Sequence, residues 1–325
     1  MAVNNSLSEK NYQSKTDIAT YLANAAVKSQ INSVIGAKNG QRFVTAIVSA
    51  VSVNPSLQQC TNKSIVSGAL LGESLKLPPS PQLGYYYLVP FNDTKSGTKV
   101  AQFQLGYKGY IQLAIRSGQY KKLNVIAIKE GELEFFDPMN EEIKVNLMVD
   151  KWDEREKSPT IGYYAMFELT NGFRKSIYWS KKQMITHADK YSQAFSAGET
   201  TVKTKYGPKK KVSYEDYEAG NYPDQDAWMY SSFWYKNFDG MAFKTMLRQL
   251  ISKWGIMSID MQQAFENDMT FTDESGFVNY SETESDVYEE PIYVGDARPV
   301  ANASDSDDVD NNPASASDAR SALFG

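Results

Sequence analysis

The chain has 325 residues, 42% apolar, 13% aromatic and 22% charged, a composition that suits one or two soluble domains with a sizeable core. Its net charge of −5 argues against a nucleic-acid partner until it is divided: residues 271–325 hold 13 acidic and 2 basic side chains, and the 270 residues before them are net +6. One cysteine (Cys60) and one histidine (His187) exclude an intrachain disulfide and Cys/His zinc sites, and make any Ser-His-Asp triad depend on His187 alone.

Residues 1–16 are polar and read as disordered, with no basic and apolar segments of a signal peptide. No apolar run reaches the ~18 residues of a membrane span, so a cytoplasmic protein is expected. Residues 17–75 read as helical: Val44, Ile47, Val48 and Val51 recur at helical spacing, as do Ile65, Ala69 and Leu70. The prolines of 76–81 end that region. A hairpin follows, with Leu83, Tyr85, Tyr87, Val89 and Phe91 alternating on the first strand, turn residues at 92–97 and a return strand at 100–105. Gln102 and Gln104 share one face of that return strand. A helix is predicted over 107–117, closed by Gly118. Its apolar stripe is Tyr107, Tyr110, Ile111 and Ala114, and Lys108, Gln112 and Arg116 line its polar face at i, i+4 and i+8.

Strands are expected at 121–129, 131–136, 142–149, 160–169 and 174–179, with an Asn171-Gly172 hairpin turn between the last two. A helix over 180–191 carries His187, read as a surface residue. A long polar loop is expected at 196–226, then one or two helices over 227–253, punctuated at Asp239-Gly240. From 269 onward the chain is acid-rich and reads as a disordered tail. Its acids would compete for a basic groove, recruit a partner or only solubilise the chain. The fold class is α+β: an antiparallel β-meander with packed helices, made of a helical part (17–75), a β-rich core (82–180) and a second helical part (226–256), together one domain over 17–268.

No G-x-x-x-x-G-K-[ST] phosphate loop occurs, which removes the usual ATP-driven chemistries. Asp137, Glu142 and Lys144 match the acid–acid–lysine pattern of a metal-dependent nuclease, but they also suit a turn and the solvent face of a strand. The stronger signal is basic. Lys203, Lys205, Lys209, Lys210 and Lys211 lie within nine residues, with Tyr206 among them. Lysines neutralise phosphates and aromatic faces stack on unpaired bases; a solvated basic loop is the alternative. Further cations come from Lys108 and Arg116, from Lys121 and Lys122, and from Lys244 and Arg248 at i, i+4.

The string from Ala101 to Ala114 (AQFQLGYKGYIQLA), the preceding Leu83–Phe91, Ser117–Tyr120, Glu130-Gly-Glu132 and Asp239–Arg248 with Lys253–Ile256 resemble RecT-type single-strand annealing proteins of phages and prophages. The resemblance covers roughly 40–262. It implies a β-β-β-α core and ATP-independent annealing of complementary single strands by a homo-oligomer, a ring or helical filament. It implies no required cofactor, with Mg2+ assisting. Expected partners are a 5′→3′ exonuclease and the host single-strand-binding protein. The segment from Gln104 through Tyr107, Lys108, Gln112 and Arg116 matches the family's DNA groove, and Lys244 and Arg248 its second basic element. The chain departs from the family in its longer, lysine-rich 196–226 segment and in Gly240 and Phe243. A nuclease and a passive single-strand protector stand as the alternatives.

Overall fold

The computed structural model describes residues 16–280, except 81, 94–95, 205–206 and 274–277. The expected disorder of 1–15 and of 281–325, and the candidates Lys205 and Tyr206, lie outside the described residues. Four N-terminal elements, α1 (Ile18–Ala23), α2 (Ala25–Ile35), α3 (Ala37–Val53) and α4 (Asn62–Ser74), make up the helical region expected from periodicity. Asp17, Asn24 and Thr61 cap α1, α2 and α4 by accepting backbone N–H bonds that the first helical turn cannot satisfy.

The hairpin β1 (Tyr86–Asp93) and β2 (Thr98–Leu105) pairs antiparallel from Tyr86↔Leu105 to Asp93↔Thr98. Alternation sends Tyr86 into the core, 3% exposed, and Tyr87 to the opposite side. Helix α5 (Tyr107–Ser117) follows directly, with Gly118 in the left-handed conformation at its C-terminal end. The next elements are β3 (Tyr120–Lys129), β4 (Leu133–Asp137), β5 (Glu142–Val145), α6 (Trp152–Lys157), β6 (Thr160–Leu169), β7 (Arg174–Ser180) and α7 (Lys181–Tyr191). Strands β3, β6 and β7 form one antiparallel sheet, and β4–β5–α6 is an excursion between its first two strands. The expected strand 142–149 stops at Val145.

The segment 196–226 is folded, against the expectation of a loop. It forms the hairpin β8 (Thr200–Thr204) and β9 (Gly207–Lys211), the helix α8 (Tyr214–Glu218) and the start of a 3-10 turn over Asp224–Tyr230. The interruption in the last helical region also moves: α9 (Phe233–Lys236) and α10 (Phe238–Trp254) meet at Asn237, whose side chain caps Gly240 N. Gly240 therefore lies inside the first turn of α10. Helix α11 (Ile259–Asn267) leads to β10 (Thr270–Thr272) and β11 (Val278–Tyr280). β10 pairs with β2 at Thr270↔Phe103 and with β11, so the ladder continues past 269 and corrects the expected start of the tail.

The architecture is α+β, with antiparallel sheets and many helices, as expected; its strands are distributed over four sheets among the described residues. Two apolar cores result. One joins α1–α4, the β1–β2 hairpin, α5 and α11; the other joins the β3–β6–β7 sheet to α7–α10. Helix α10 serves both, giving Leu247 and Ile251 to the first and Ala242, Met246 and Leu250 to the second. That explains a helix buried on nearly every side.

Candidate nucleic-acid interface

Helix α5 is set against the hairpin by two glycines. A Cβ on Gly106 would lie 2.3 Å from the Gly84 carbonyl oxygen, and one on Gly109 would lie 2.1 Å from that of Tyr85. Only glycine allows these backbones to approach so closely. The approach brings the start of α5 beside the start of the hairpin. The Tyr87 hydroxyl and the Lys108 aliphatic stem flank Gly84, 2.9 and 3.5 Å from where its Cβ would be. Tyr87 packs its ring on Phe233 (5.5 Å between centroids), and Tyr107 packs edge-on against Phe243 at 5.5 Å. Phe233 is 38% exposed, and Lys236, one turn further along α9, is exposed.

The electrostatics of this corner favour an anion. Gly106 supplies no side-chain cap to α5, and its first turn has no acid. The helix's own first turn therefore sets no negative charge at its amide end. Lys108 is exposed and has no acidic partner among the described residues. Gln112 lies half-buried one turn on. Arg116 donates to the Leu75 and Lys76 carbonyls at 2.6 and 3.2 Å, closing the C-terminal end of α4 while its charge meets no acid among the described residues. Gln104 donates to Gln102 Oε1 at 2.8 Å, and Gln102 in turn donates to the Met269 carbonyl at 2.6 Å.

The other sequence candidates are placed differently. Lys121 and Lys122 share Glu168, at 2.5 and 3.4 Å. Bonding from Lys121, opposed by partial burial, holds the Glu168 carboxyl below the usual glutamate range. Of the lysine-rich segment, Lys209 pairs with Asp226 at 2.5 Å and Lys210 with Glu199 at 2.8 Å. Lys211 is 5% exposed, with its ammonium 4.3 Å from the centre of the Tyr235 ring, and burial pulls its pKa below the usual lysine value. Lys203 is exposed. Composition overstates the free positive charge here, because acids distant in sequence neutralise much of it.

Lys244 and Arg248 are interior. Lys244 is 7% exposed and meets Asp268 at 3.0 Å; Arg248 meets the same carboxylate at 3.2 Å and the Tyr110 hydroxyl at 3.2 Å. Asp268 also accepts from Leu105 N at 2.8 Å and from the Tyr110 hydroxyl at 3.0 Å. Burial first, then the Asp268 charge, keeps the Tyr110 hydroxyl protonated far above its usual pKa. This buried knot ties β2, α5 and α10 to the segment that leads into β10.

The residues of the nuclease pattern lie at the tip of β4–β5, where Asp137 and Glu142 stand opposite each other in the ladder. Asp137 accepts from Met139 N and Asn140 Nδ2, turn bonds that hold its carboxyl below the usual range. Lys144 is bound to Glu134 at 2.7 Å. No cluster of three or more His, Cys, Asp or Glu side chains suited to a metal ion occurs among the described residues. Tyr87, Phe233 and Lys236, which the sequence does not single out as a group, stand with Lys108 as candidates at this corner; the alternation of Tyr85–Tyr87 was the available signal.

Residues 41–283 match the model of the RecT family. An uncharacterized protein of Bacillus subtilis (strain 168), YqaK, is 38% identical over 250 residues, which cover 77% of this chain and 71% of that protein. Protein RecT of Escherichia coli (strain K12) is 28% identical over 173 residues, covering 52% of this chain and 62% of that protein.

Proposed function

The chain belongs to the RecT family, and on that premise we propose that it binds single-stranded DNA and anneals complementary strands without ATP, as an oligomer along the strand. The observation that carries the proposal is the corner where Lys108 and the uncapped start of α5 meet Tyr87 and Phe233. Lysine and helix amides take phosphates without reading sequence. Neighbouring aromatic faces stack bases of any identity. Gln104 and Gln112 add hydrogen bonds to phosphate or sugar. A strand held by its backbone keeps its pairing edges open, and base pairing then supplies the driving force. No bond to be broken is required of the protein. Mg2+ assists by screening the two phosphate backbones, and a 5′→3′ exonuclease and the host single-strand-binding protein act before and beside it.

The test is a gel assay with two complementary oligonucleotides, full-length protein and no nucleotide triphosphate. Accelerated duplex formation supports the proposal. Shortened products favour a nuclease, and binding without faster pairing favours a passive protector.

A further inference from the structure

Helices α5 and α10 run side by side in the same direction. Tyr107 meets Phe243 near their starts, the Tyr110 hydroxyl meets Arg248 further along, and past their ends the Tyr120 hydroxyl donates to the Ile256 carbonyl at 2.9 Å. The corner at Lys108 lies at one end of this pair. The 11 residues of α5 carry the chain about 16 Å to the other end. There a second group of bases gathers on the last residues of α10 and the adjoining end of the β3–β6–β7 sheet. Lys122, Glu168 and Arg174 form one row across the three strands, with Lys121 beside them. Lys175 and Lys253 bring their ammonium groups to 4.4 and 5.8 Å from the centre of the Trp254 ring.

The acids present do not neutralise this group. Glu168 alone serves both Lys121 and Lys122, and Glu141 is bonded to Lys175. Arg174 and Lys253 are exposed and have no acidic partner among the described residues. Five bases against these two acids leave a net of +3. The β8–β9 hairpin differs, because Lys209 and Lys210 each have an acid of their own and Lys211 is buried. Two aromatic faces stand open in the same place: Trp254 is 36% exposed and Phe173 45%. Phe173 packs on Phe167 at 6.0 Å, and Phe167 on Tyr120 at 5.5 Å, which joins the ring to the end of α10. Lys253 also offsets the carbonyl end of α10, but Lys121, Lys122 and Arg174 lie on strands, where no helix end accounts for them. Cations gathered beyond their counter-ions repel one another until an anion joins them. With open ring faces beside them, they suit a phosphodiester backbone and its unpaired bases.

We propose that this surface is a second single-strand site, which holds the complement of the strand bound at the start of α5. The inference rests on the proposed function, which places one strand, and adds a place for the other. One strand does not span both surfaces, because the polar face of α5 offers no run of cations between them: Gln112 is half-buried and Arg116 is turned onto the Leu75 and Lys76 carbonyls. A single copy therefore carries both strands, at opposite ends of one helix pair. Their encounter becomes an intramolecular search at raised effective concentration. Contacts to phosphate carry no sequence information, so the second site takes any complement.

The experiment titrates the full chain with a short labelled poly-dT probe at low salt and counts probes bound per copy by sedimentation. The wild-type chain should take two. Arg174→Ala with Lys253→Ala should take one, at the affinity of the tighter wild-type site and with a wild-type melting temperature, and should pair complementary oligonucleotides more slowly. Arg174→Lys with Lys253→Arg should keep both probes, and Glu168→Gln, which frees Lys121 and Lys122, should tighten the second. One probe per copy in the wild-type chain, or two in the double alanine variant, overturns the inference and leaves the proposed function standing. A single probe bound more weakly by that variant than at the tighter wild-type site marks one continuous strand path and overturns it as well. If the wild-type chain takes no probe, the proposed function fails with it.

Discussion

Asp268 grips Lys244 with both carboxylate oxygens, 3.1 Å from Oδ1 and 3.0 Å from Oδ2, in a place where the two side chains are 1% and 8% exposed. With Arg248 alongside, two buried cations depend on one carboxylate. Removing one partner of such a group leaves charge without solvent or counter-ion, a loss of about 3–5 kcal/mol. Asp268→Asn should therefore lower the free energy of unfolding by that order in urea titration. Because Asp268 also receives Leu105 N and the Tyr110 hydroxyl, the variant should loosen the start of α5 as well. Full stability in Asp268→Asn would show that the knot does not organise the fold.

A second prediction concerns Gly109. Its Cα faces the Tyr85 carbonyl so closely that a methyl group displaces α5 from the hairpin. Overpacking of this kind costs about 1–3 kcal/mol. Gly109→Ala should lower the melting temperature and the affinity for a short oligonucleotide together, whereas Gly172→Ala, with open space at its Cβ but a φ of 88°, should affect stability alone. The check is a paired thermal melt and fluorescence-anisotropy titration.

A third prediction is a pH effect in the β4–β5–α6 excursion. Burial works to raise the Glu132 pKa, but bonds from Arg155 and two backbone amides outweigh it, and the carboxyl stays below the ordinary glutamate value of 4.5. A depressed carboxylate pKa stabilises the fold fully above that value, and the contribution fades as pH falls through the lower, folded-state pKa. Hydrogen-exchange protection over 133–157, taken relative to the intrinsic amide rate at each pH, should therefore fall in acid below about pH 4.5. In Glu132→Gln that region should already exchange fast at neutral pH and lose this pH dependence. Equal protection of the excursion in both proteins across the range would contradict an anchoring role for Glu132.

These relationships were unequally visible in the sequence. Helix α5 was legible from end to end, because its apolar stripe repeats at helical spacing and Gly118 marks its end. The β6–β7 hairpin was legible from Asn171-Gly172, where Gly172 takes a positive φ of 88°. The lysine hairpin was not: Thr200–Thr204 and Gly207–Lys211 lack the apolar alternation of a half-buried strand. They fold because Tyr214, Tyr217, Tyr230 and Tyr235 gather into a core beside them. The pairing of Lys244 and Arg248 was hidden for a different reason. At i, i+4 they read as an exposed basic stripe, and their acid sits a full helix away at the border of an acid-rich segment. Exposed and neutralised lysines look alike in composition; only the fold separates Lys108 from Lys209, Lys210 and Lys244.

That separation allows the most direct test. The salt dependence of affinity for a short poly-dT probe counts the phosphates that the protein neutralises, each worth about 0.7 in the slope of log K against log salt for a single strand. Lys108→Ala should reduce the slope by about 0.7, while Lys244→Ala, measured where it remains folded, should leave the slope unchanged. A wild-type slope in Lys108→Ala, or a reduced slope in Lys244→Ala, would contradict the placement of the DNA strand at the start of α5.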